Sequence, residues 1–111
     1  MKNKLAYLLL LLALSFSAKS QSAMYICKTV FIGNYTEQQI QTDMDKLLNL
    51  YAMPHTKENY LRVANALVGM RKDSKKGYSE MQILRMSIKL YTKNMKIGDL
   101  IGLAASLLEF S

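Results

Sequence analysis

Hydrophobic positions recur at helical spacing through most of this chain. The longest such stretch runs from Thr56 to Gly77, and between Tyr60 and Met70 only Arg62 and Asn65 are strongly polar. A helix that is apolar on nearly every side is one that neighbours bury. This stretch is therefore expected to be the central helix, with the others packed around it. Thr56 is its expected cap, and Glu58 sits in the first turn, where the helix dipole favours an acid and where it can pair with Arg62. Arg71, Lys72, Lys75 and Lys76 gather towards the end, and Gly77 reads as the left-handed residue that closes the helix.

The preceding segment has a clear start signal. Thr36-Glu37-Gln38-Gln39 is a capping box, with Tyr35 and Ile40 placed as its hydrophobic staple. Ile40, Met44, Leu47, Leu48 and Tyr51 then fall on one helical face, and Glu37, Gln41, Asp45 and Asn49 on the other. The helix is expected to end before Met53-Pro54, because a residue that precedes proline avoids helical angles. The same device returns in Tyr78-Ser79-Glu80-Met81-Gln82-Ile83. The likeness fades within a few residues, and two copies are too few for a repeat array, so two helices sharing a start chemistry is the simpler account. Met81, Leu84, Ile88 and Tyr91 form the expected core face of this third helix, widened by Ile83, Met86 and Leu90. A last helix is expected from about Asp99 to Glu109, with Gly98 and Gly102 as a small-residue step for close packing.

Met24 to Ile32 is rich in β-branched and aromatic residues and by itself resembles a strand. No other segment resembles its partner, and a lone strand leaves its backbone unpaired. A first helix, capped by Ser22 and ended by Gly33-Asn34, is the reading that fits its context.

The front of the chain is different. Lys2 and Lys4 precede an apolar run from Leu5 to Phe16, followed by small and polar residues up to Ser22. That order is the layout of a secretory signal peptide, with Ala18-Lys19-Ser20 as the cleavage site and Ser17 as the second choice. The apolar run is short of the ~20 residues that span a bilayer. Residues 1–20 are thus expected to be removed, leaving 21–111 as a single helical domain: an all-α bundle of four to five short helices, periplasmic or secreted, with no transmembrane span in the mature chain.

Composition bounds what such a domain does. Half of the residues are hydrophobic, which suits a folded domain, and the formal charge is +7. Beyond residue 20 there are 12 basic and 8 acidic residues, a net of +4. That is modest for a nucleic-acid-binding domain, and an export signal argues further against one. The one cysteine, Cys27, allows no internal disulfide; a buried thiol is the plainer reading and an intermolecular disulfide the sharper one. The one histidine, His55, lies beside Pro54 without nearby metal-ligating company and reads as a solvated loop residue. Glu37, Glu58, Glu80 and Asp99 all fall at helix starts, and no two carboxylates are spaced for acid–base work. No catalytic, cofactor-binding or metal-binding residues are assigned, so no catalysis is expected.

Two basic features remain. Arg71-Lys72-Asp73-Ser74-Lys75-Lys76 compensates a helix dipole. Arg85, Lys89, Lys93 and Lys96, spaced 4, 4 and 3, lie along one side of the third helix and are the candidate partner-binding residues. The function expected is that of an exported small helical protein acting by protein–protein contact, as an adaptor, inhibitor or immunity-type protein. Its partner would be another envelope or extracellular protein, and a homodimer is the other arrangement considered. The alternatives are a cationic helical protein at a membrane surface, or a small-molecule carrier with a Met- and Tyr-lined pocket between helices.

Overall fold

A computed structural model describes residues 22–111. The expected signal peptide lies outside the described residues. Five helices follow in order: α1 (Ala23–Val30), α2 (Glu37–Leu50), α3 (Lys57–Lys72), α4 (Glu80–Leu90) and α5 (Ile97–Phe110). No strand occurs among the described residues, so the domain is an all-α bundle. No helix among them is long and apolar enough to cross a membrane.

Four of the five helix starts share one chemistry, and α5, which begins after Lys96, has no side-chain cap. Ser22, Thr36, Thr56 and Ser79 each hold a side-chain oxygen against a backbone N–H in the first turn of the helix that follows. Such caps satisfy amides that the helix itself leaves orphaned, each worth about 1 kcal/mol. Both capping boxes are complete: the Thr36 and Ser79 amides donate to the Gln39 and Gln82 side chains at 2.9 and 2.6 Å. Segment 24–32 is helical as its context requires, running to Val30, with Gly33 at φ +106 just beyond it. A Cβ at Gly33 would also lie 2.7 Å from the Tyr35 ring, so the position admits only glycine.

α3 touches all four other helices, as the sequence pattern predicts, but α4 is the one that buries the larger share of its residues. α4 packs against α2, α3 and α5, and Met81, Ile83, Leu84 and Ser87 are buried within it. α3 buries only Tyr60, Val63, Ala64 and Leu67; Leu61, Val68 and Met70 are half-covered on its outer flanks. Its broad apolar surface is therefore only partly closed by neighbours. α3 also stops at Lys72, and Gly77 is not its cap. Gly77 has φ +77 in the turn leading to α4, where the Ser74 hydroxyl accepts from the amides of Lys76 and Gly77.

On α2, Ile40, Met44, Leu47 and Leu48 are fully buried, as their spacing predicts. The helix ends at Leu50, and proline is not the immediate cause. Ala52 adopts a left-handed conformation, φ 53, with its amide donating to Asn49 O and the Met53 amide to Leu48 O. This is a Schellman closure that usually carries glycine. On α5, Gly102 approaches Met70 of α3, its added Cβ meeting Met70 Cε at 3.6 Å. Gly98 is exposed and faces open space, so only half of the expected small-residue step is used.

Two outcomes follow from the backbone and the core. Ala52→Gly removes a left-handed alanine that costs ~1–2 kcal/mol, against ~0.5–1 kcal/mol of added chain entropy. A net gain of ~0.5–1 kcal/mol is expected in urea denaturation. Cys27 is fully buried and free, and burial pushes its thiol up to about 11. The unfolded chain ionises this thiol first, so stability is complete below pH 9 and falls as pH rises towards 11. The limiting slope is ~1.4 kcal/mol per pH unit. Replacing Cys27 with alanine should flatten that part of the pH–stability curve.

Candidate functional site

The four predicted partner-binding residues do not share a helix. α4 ends at Leu90, and the extended Tyr91 turns the chain away. Arg85 and Lys89 belong to α4, Lys93 lies in the connection, and Lys96 is the residue before the first turn of α5. Arg85 is committed internally. Its Nε donates to Asp43 Oδ2 at 2.7 Å, and its guanidinium stands 5.3 Å above the Tyr35 ring. That hydrogen bond, opposed by burial, raises the Arg85 pKa and ties α4 to α2. Lys89, Lys93 and Lys96 are exposed and form no ion pair among the described residues.

His55 is held more firmly than a solvated loop residue would be. Its Nδ1 is 3.2 Å from Asp45 Oδ1, and its Nε2 is 2.7 Å from Asn49 Oδ1. The Tyr60 hydroxyl donates to the same Asp45 oxygen. Burial and the Asp45 carboxylate together push the Tyr60 phenol up to about 12. Both ring nitrogens of His55 are thus occupied by α2 side chains, and no nucleophile stands against them. The cluster pins the α2–α3 connection to α2. Cys27 makes no side-chain hydrogen bond to His55, and its ionisation is suppressed, so the pair is not arranged for nucleophilic chemistry. Among the described residues no three His, Cys, Asp or Glu side chains converge on a metal position.

Three features escaped the sequence reading. The first is Glu80. It reads as an ordinary first-turn acid, yet it is 0% exposed. Its Oε1 accepts from the Ile32 amide at 3.0 Å and its Oε2 from Arg71 Nε at 2.9 Å. One carboxylate therefore joins the α1–α2 connection, the end of α3 and the start of α4. The partners lie 48 and 9 residues away in the chain, so no local spacing discloses them. The second is the outer face of α5, where Leu103, Leu107 and Phe110 are 39%, 44% and 87% exposed. Their spacing of 4 and 3 puts them on one side of the helix. That spacing is visible in the sequence, but α5 is apolar on its inner side too, at Leu100, Ile101, Ala104 and Ala105, and spacing alone does not say which side is covered.

The third feature is a pair of surface grooves. One, of about 320 Å³, lies between the end of α3 and α5, beside Met70, Tyr78, Gly102 and Phe110. The other, of about 400 Å³, lies between α1 and α3. The Met- and Tyr-lined pocket expected for a carrier is matched only in part by the first. Met24, Met44 and Met81 fill the core instead.

The two arginine–carboxylate ties differ in depth. Arg71 is 22% exposed against a fully buried Glu80, whereas Arg85 is 48% exposed. Removing Arg71 leaves a buried charge without its partner, which costs ~3–5 kcal/mol. Arg71→Ala should therefore shift the urea midpoint strongly. Arg85→Ala should cost less, ~1–2 kcal/mol, because Arg85 is half-exposed and Asp43, though only 11% exposed, keeps Lys46 at 3.9 Å. Compared with known proteins, the chain matches no family model, no curated protein and no solved structure.

Proposed function

We propose that the chain is an exported, non-catalytic helical binding protein of the periplasm or extracellular space, acting by contact with another envelope or extracellular protein. The observation that carries this reading is the apolar face of α5, with Leu103, Leu107 and the almost fully exposed Phe110 aligned on one side. Anchors at positions i, i+4 and i+7 are how an amphipathic helix presents itself to a protein groove. Large exposed apolar side chains in a row mark interaction surfaces more than they mark ordinary protein exterior.

The charge around this face favours protein over lipid. The only charged side chains on α5 are Asp99 and Glu109, both acidic. A helix that lies on an anionic membrane carries lysine and arginine on its polar side. Lys89, Lys93 and Lys96 are the available cations at the α4–α5 corner and would meet acidic groups on a partner's rim, where charge steers association more than it holds the complex. Arg85, half-exposed and held by Asp43 through Nε, is fixed in place at the other end of that row.

The test is site-specific photo-crosslinking from position 107 in cells of the source, with intact mass measured on each cell fraction. Export gives a species lacking about 20 N-terminal residues outside the cytoplasm. A heterologous adduct should form there and be lost in the Leu103→Gln, Phe110→Ser double variant. That variant changes exposed positions, and its stability should stay within ~0.5 kcal/mol of wild type at each site. An adduct only with a second copy of the chain would replace the partner by a homodimer. A full-length cytoplasmic protein would overturn the export reading.

A further inference from the structure

The groove between α1 and α3 has a chemical polarity of its own. Ile26 and Val30 of α1 face Leu61 and Val68 of α3 across it. Ala64, being small, leaves room between them, and Asn65, exposed, is the one uncharged polar residue of the lining. At the end of α3 the lining becomes basic, with Arg71 and Lys72 and no acidic residue. Leu61 and Lys72 stand about 16 Å apart along the helix axis. The volume, about 400 Å³, falls in the range of small-molecule sites.

The basic end is preorganised. Glu80, wholly buried, accepts from Arg71 Nε and so holds the guanidinium in place. Arg71 makes no hydrogen bond through its two terminal nitrogens among the described residues, and both Glu80 oxygens already have partners. The free edge of a guanidinium matches a carboxylate in a two-point hydrogen bond. Lys72 is exposed, forms no ion pair among the described residues, and adds a second cation. The groove beside Met70 and Phe110 differs: its lining carries two acids, Asp73 and Glu109, against one cation, Lys75, a balance that disfavours an anion.

We propose that the α1–α3 groove binds a single-chain amphiphile with an anionic carboxylate head, the acyl chain lying along Leu61 to Val68 and the head on Arg71 and Lys72. The apolar part supplies affinity, since each buried methylene contributes ~0.8 kcal/mol, or about fourfold in binding. The basic end supplies the discrimination between a carboxylate and a neutral or cationic head. This site is separate from the α5 face and does not depend on how that face is used.

The experiment is titration of the purified chain with octanoate, decanoate and dodecanoate below micelle formation, followed by calorimetry and by methyl NMR. Saturable one-to-one binding is expected, tightening about fourfold for each methylene that fits the groove, with shifts at Ile26, Val30, Leu61 and Val68. Decanol and decyltrimethylammonium should bind more weakly than decanoate. Lys72→Glu, at an exposed position, should weaken decanoate about fivefold and leave decanol unchanged. Val30→Glu, at the groove's exposed rim, should weaken both decanoate and decanol. Equal binding of the three head groups would overturn the proposal. So would shifts centred on Met70 and Phe110, or the absence of saturable binding.

Discussion

The buried carboxylate of Glu80 is the constraint on which the arrangement of the other parts depends. A charged group without exposure is tolerated only if its polar atoms are answered by donors. Here the two oxygens are answered by two unrelated stretches of chain, the Ile32 amide and the Arg71 guanidinium. Neither stretch can move without stripping the carboxylate of a partner. The contact fixes where the end of α1 and the end of α3 sit against the start of α4. Exchanging such a pair for apolar residues of similar size is often neutral in stability, so its worth lies in position more than in net stabilisation.

Around that point the bundle is closed by polar ties between connections. The Tyr51 hydroxyl donates to Met95 O at 2.7 Å, and its ring meets Tyr91 edge-on at 5.0 Å, so the α2–α3 and α4–α5 connections are fastened together. The Tyr78 hydroxyl donates to Ala105 O at 3.0 Å, joining the α3–α4 connection to α5. Each uses an aromatic body for burial and one polar atom for direction. Among the described residues no buried side-chain nitrogen or oxygen is left without a partner.

What the sequence disclosed follows the range of the interaction. Helix starts are local chemistry, and Ser22, Thr36, Thr56 and Ser79 behave as their neighbours in sequence dictate. The inward face of α2 is periodic and equally legible. The breadth of apolar surface on α3 does mark the helix that meets all the others. Breadth only states how much could be covered, however, and α1 leaves part of it as a groove. The stripe from Arg85 to Lys96 does not lie on one helix for a related reason. Its spacing requires α4 to continue past Leu90, whereas the chain leaves the helix at Tyr91, whose ring packs on Tyr51. Glu37 and Glu80 occupy equivalent places in two similar motifs, yet one is exposed and the other wholly buried. Only Arg71 and Ile32, distant in sequence, distinguish them.

The single buried thiol has a consequence beyond packing. With one cysteine in the whole sequence, nothing covalent fastens any helix to another. Acquiring the native state needs no oxidant and no disulfide isomerase, and so avoids the seconds-to-hours phase that bond reshuffling imposes. The same sequence can reach the same structure in a reducing or an oxidising compartment. Apart from the backbone itself, the helices are held together by non-covalent contacts alone.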